Sequence, residues 1–243
     1  MNRLHTELHR LYLLPSPDEG DGDGTSAQGG CLVGASRNVR ALVMELTGPP
    51  DWDVLSKVWR GVQGDLELPA PAIAVSGIDG LQLWFSVQEP VSVARAAEFL
   101  AQLRSRYLPD VAPARLRLLP SATEPPRHAP LVPAQQGVEN WSAFVAADLA
   151  PVFAETPWLD MPPNAEGQAD LLARLKSIKP PAFDAALQRL QPAVPQSPPP
   201  PLEAGAPASG TPDVDARRFL QQVLNDETAP LALRIDAAKA LLA

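Results

Sequence analysis

Few residues in this sequence are placed to do chemistry, and most of them fall in one stretch. Pro71 to Val87 reads as two short apolar runs, Ala72–Val75 and Leu81–Val87, joined by Ser76-Gly77-Ile78-Asp79-Gly80. A turn bracketed by glycines lets backbone approach a ligand closely, and it equally makes an ordinary hairpin. Gln82 stands as a polar group between Leu81 and Leu83, on the same side of the strand as Trp84. His5 and His9 are spaced i, i+4 on a helical stretch, a geometry that suits a metal, but no acidic residue of that helix completes a set. His128 sits in a Pro-rich segment without a Ser or Cys partner, and Asp21-x-Asp23-Gly24 matches only part of a calcium loop. No Gly-x-Ser-x-Gly elbow, Walker loop or dinucleotide fingerprint is present, which leaves hydrolase and nicotinamide chemistry without support.

The elements that must position these residues follow from periodicity. Leu4, Leu8, Leu11 and Tyr12 predict an amphipathic helix ending before Pro15. The acidic, Gly-rich stretch 15–30 predicts a loop. Cys31–Gly34 and Val39–Leu46 read as strands, the second with Val43 and Glu45 on one face and Leu42, Met44 and Leu46 on the other. Asp51 caps a helix carrying Leu55, Val58, Trp59 and Val62, and Ser92 caps another carrying Ala96, Leu100 and Leu103. Ala114–Leu119 reads as one more strand. The order predicts an α+β fold, a mainly antiparallel sheet with helices packed against it. Residues 1–121 form this core. Residues 122–190 are expected as a helical extension, with helices at Trp141–Phe153, Gly167–Ile178 and from Pro180 to near Leu190.

Composition bounds the partners. The formal net charge of −8 argues against an extended basic surface for duplex nucleic acid, because phosphate contacts need Lys and Arg. Cys31 is the only cysteine, so an intrachain disulfide and a thiolate metal cluster are excluded and a reducing cytoplasm is expected. The first residues mix charge with apolar positions, unlike a signal peptide. No apolar window approaches the ~20 residues of a membrane span, and no membrane partner is expected.

The set Ser76-Gly77-x-x-Gly80-Leu81-Gln82-Leu83-Trp84-Phe85 resembles the second motif of the archaeo-eukaryotic primase superfamily, in its plasmid and phage branches. The resemblance extends over about residues 37–121. It implies that Glu45 and Asp110 stand at metal-holding positions, with magnesium or manganese as the ion. It also implies that Ser76, Gly77, Gly80, Gln82, Trp84 and Arg117 contact a nucleotide. Two-metal nucleotide chemistry needs several carboxylates close together. Here Thr47 occupies the position of a second carboxylate, and Gln82 stands where His is commoner. The resemblance therefore implies a degenerate site, with Glu45, Gln82 and Asp110 as the catalytic candidates. A binding module for nucleotide, nucleic acid or protein is expected, requiring no cofactor; a working metal-dependent nucleotidyltransferase is the alternative. In the plain alternative, Gln82 and Glu45 are solvent-side strand residues and the turn is only a turn.

Residues 191–212 are Pro-rich and predict an extended linker. The last segment, 213–243, reads as a helical hairpin presenting Phe219, Leu220, Val223, Leu231, Ile235 and Leu242 for a protein partner or self-association. It resembles short helical segments of phage terminase small-subunit-like proteins. An adaptor working through this hairpin is a second functional expectation.

Overall fold

The computed structural model describes residues 2–14, 31–121, 123 and 125–191. All of them belong to the first of two units into which the chain divides, Met1–Pro192. The second unit, Ala193–Ala243, lies outside the described residues, as does the loop expected at 15–30. The hairpin residues Phe219, Leu220, Val223, Leu231, Ile235 and Leu242 therefore carry no structural description.

The fold is α+β. Among the described residues its five strands are β1 (Asn38–Thr47), β2 (Ala72–Val75), β3 (Gly80–Ser92), β4 (Leu116–Leu119) and β5 (Ala143–Val145). They form one sheet in the order β4-β1-β3-β2-β5, with every neighbouring pair antiparallel. Five α-helices accompany it among the described residues: α1 (Arg3–Leu11), α2 (Trp52–Gly64), α3 (Val93–Tyr107), α4 (Ala165–Ala173) and α5 (Pro180–Leu190). None is long and apolar enough to cross a membrane.

Strand alternation divides the core into two layers. Leu42, Met44, Leu46, Leu81, Leu83 and Phe85 point to one face and pack with α2, α3 and α5. Ala41, Val43, Ala74, Trp84 and Phe144 point to the other and pack with α1 and α4. The helix starts obey local chemistry: the Asp51 carboxylate accepts from Val54 N, and Ser92 Oγ accepts from Arg95 N.

Three expectations need correction. Cys31–Gly34 is not a strand; Cys31 makes only an isolated bridge with Leu14. The helix expected at Trp141–Phe153 is instead β5 followed by a 3-10 turn at Ala150–Ala154. Its apolar residues suit either period, and the open edge of β2 selects the strand. The expected helix Gly167–Ile178 stops at Ala173, because Ile178 bridges Val87 and extends the edge of β3. Between 125 and 190, β5 joins the sheet, α4 packs on the layer of Val43 and Trp84, and α5 packs on the layer of Leu42 and Met44.

Candidate functional site

Antiparallel register sets the site. On β1, Glu45 lies opposite Gln82 of β3 on one side and opposite Arg117 of β4 on the other. All three strands present these residues on the face of Val43 and Trp84, beyond the end of the apolar layer. Gly80 makes the arrangement possible, since a Cβ there would sit 2.6 Å from Glu45 Oε1. Glu45 is buried, and its side chain is only 6% exposed.

The polar groups engage one another in a chain. The Trp84 indole N–H donates to Gln82 Oε1 over 2.7 Å, and Gln82 in turn hydrogen-bonds Glu45. Arg117 Nη1 lies 3.5 Å from Glu45 Oε2 and 3.5 Å from Asp79 Oδ1. Burial pushes the Glu45 carboxyl above its ordinary pKa; Arg117 opposes this, and nearby Asp79 adds to it. Two carboxylates thus flank one guanidinium that is half exposed.

The turn residues are spent on the fold. Ser76 is buried, and its Oγ accepts from the backbone N–H groups of Ile78, Asp79 and Gly80, which closes the β2–β3 turn. Gly77 has φ of +79° and donates its N–H to Pro157 O. A Cβ on Gly77 would lie 2.8 Å from Ser142 N, so the turn rests directly against the segment leading into β5. Thr47, in the place of a second carboxylate, donates through its hydroxyl to Arg115 O. Trp84 is fully buried, edge-on to both Tyr12 and Phe144.

Asp110 takes no part in this cluster. It lies in the exposed turn after α3, and α3 packs on the Leu42–Met44–Leu46 face, opposite to Glu45. Glu45, Gln82, Trp84, Gly80 and Arg117 are therefore brought together, while Asp110 is not. Asp79 was missed as a partner of Arg117; its position at the strand entrance, next to Gly80, was the available signal. A pair of divalent ions needs several carboxylates free to ligate. Glu45 and Asp79 are instead bound to a shared arginine, and no group of three or more His, Cys, Asp or Glu among the described residues could hold a metal. The donor set does not fit a two-ion centre.

No protein-family model matches the chain, and no curated protein matches it.

Proposed function

We propose that the protein is a non-catalytic binding module on a degenerate primase-like sheet, rather than a metal-dependent nucleotidyltransferase. One observation carries this reading: the Glu45 carboxylate is buried and held by Gln82 and Arg117 instead of standing open beside other carboxylates. A carboxylate so engaged must break an ion pair before it can ligate magnesium or manganese. The same balance, two carboxylates against one guanidinium, repels a phosphate, so nucleotide or nucleic acid is disfavoured at this end of the sheet. A protein ligand fits better. The single Cys31 supports a cytoplasmic setting.

Incubation with magnesium or manganese, nucleotides and primed or unprimed template tests the proposal. No incorporation is expected. Metal-dependent incorporation that Glu45→Gln abolishes would overturn it.

The division of the chain at Pro192 favours a second, compatible reading, in which segment 213–243 is the contact of an adaptor. Deleting Asp213–Ala243 is then expected to abolish self-association in light scattering while leaving the melting temperature of the remainder unchanged. Association that survives the deletion removes this reading.

A further inference from the structure

The opposite end of the same strands carries charge of the other sign. The β1–β3 register shifts between Val39, which faces Val91, and Ala41, which faces Ser86. Irregularities of this kind bend a strand and re-aim the side chain at the break. That side chain is Arg40. It lines an open cavity of about 530 Å³, together with Arg10 of α1 and with Lys176 and Lys179 from the connection between α4 and α5.

Four cations thus converge in a chain whose formal net charge is −8. Their compensation is incomplete. Arg10 pairs with Glu7 at 2.6 Å. Glu67 is the one carboxylate of the lining, and it lies 3.6 Å from Arg189. The Arg40 guanidinium donates to the carbonyls of Val87, His9, Leu13 and Arg10, and no carboxylate pairs with it among the described residues. Lys176 and Lys179 are exposed and have no ion-pair partner there either. Like charges held together repel, and a partly buried cation without a counter-ion is unfavourable unless an anion joins it. Burial and neighbouring Arg10 both pull the Arg40 pKa down.

The backbone adds to the field. Lys179 is the N-cap of α5, and Pro180 and Pro181 follow it. Neither proline has an N–H, so the first N–H that this helix offers belongs to Ala182, itself part of the lining. Ala182, Pro69 and the stems of the basic side chains supply apolar wall. The volume lies in the range of about 300–1,000 Å³ common for small-molecule sites.

We propose that this cavity binds a small organic phosphate carrying at least two negative charges, with its phosphate groups among Arg40, Lys176 and Lys179. A recess of this size holds one compact ligand. The formal net charge of −8 of the whole chain opposes a long polyanion lying across the recess.

Calorimetric titration of the full chain with inorganic pyrophosphate and with fructose bisphosphate is the test. One saturable site is expected for both probes, weakened by salt. The double variant Lys176→Ala, Lys179→Ala, at exposed positions, is expected to lose about tenfold or more in affinity with an unchanged circular dichroism spectrum. Lys57→Ala, on α2 and outside the cavity, is expected to bind as the parent does. Three results would overturn the proposal: no saturable binding of either probe at ~5 mM; binding indifferent to the lysine pair; or a short single-stranded DNA binding more tightly than both probes through the same lysines.

Discussion

Glu45 and Gln82 face each other across β1 and β3, and the contact between them is one link in a buried relay that begins at the Trp84 indole. Gln82 uses both ends of its amide, accepting from Trp84 and donating to the carboxylate. Replacing it with Leu removes both bonds and leaves the Trp84 N–H buried without a partner. Loss of a buried hydrogen bond of this kind costs about 1–3 kcal/mol. Urea denaturation of Gln82→Leu is expected to show a loss in that range. A variant as stable as the parent would mean that the relay does not hold the sheet.

Glu45 makes stability depend on pH in a direction opposite to that of an ordinary ion-paired carboxylate. Its pKa is raised by burial, so between the unfolded value near 4.5 and the folded value the native state binds more protons than the unfolded chain. The Glu45 contribution is fully present below the unfolded value and is lost as pH rises through the folded one. Glu45→Gln lacks this titration. The stability difference between parent and Glu45→Gln is therefore expected to move in favour of the variant as pH rises from about 4.5 towards neutrality. Denaturant melts at both pH values check the sign. A shift towards the parent would show that the Arg117 pair, not burial, dominates.

Two glycines with positive φ separate backbone strain from collision. Gly48 has φ of +58° and, its chain neighbours aside, nothing within 4 Å of where a Cβ would go. Gly48→Ala therefore meets the left-handed penalty of about 1–2 kcal/mol and the crowding that Pro49 imposes on the residue before it, but no collision with a distant segment. Gly77 has φ of +79° and, in addition, the backbone of Trp141 and Ser142 within 3.0 Å of a Cβ. Gly77→Ala is expected to lose more stability than Gly48→Ala, with thermal melts as the readout. Equal losses would mean that the 134–142 segment yields easily.

Much of the sheet was legible because its chemistry is local. The alternation of Val43 and Glu45 against Leu42, Met44 and Leu46 is visible in the residues themselves, and the Asp51 and Ser92 caps announce their helices. The turn at Ser76 fixes only the pairing of β2 with β3; the register that sets Glu45 opposite Gln82 belongs to β1 and β3, which α2 and β2 separate in the chain. What escaped depends on distant partners. β5 is three residues long, too short for a period, and it exists because β2 has an edge to fill. The cation cavity escaped for the same reason: Arg10, Arg40 and Lys176 are unremarkable alone and become a site only when the strands and the 176–179 connection close together.

Gln168 shows how such a distant partner is used. β5 is an edge strand, and its outer edge would leave the Phe144 N–H and C=O without a ladder partner. The Gln168 side chain, reaching across from α4, supplies both: its Oε1 accepts from Phe144 N over 2.7 Å, and its Nε2 donates to Phe144 O over 2.9 Å. The amide acts as a one-residue substitute for a sixth strand. Gln168→Leu keeps the bulk and the helix propensity but leaves two buried backbone groups unpaired, at about 1–3 kcal/mol for each. The expected result is a destabilisation of at least about 2 kcal/mol and faster hydrogen exchange at the Phe144 amide than in the parent. Gln168→Glu is the discriminating companion, since its carboxylate can still accept from Phe144 N but, when ionised, cannot donate to Phe144 O. It is expected to retain part of the Phe144 protection; if Leu and Glu variants exchange as slowly as the parent, the amide is not what secures this edge.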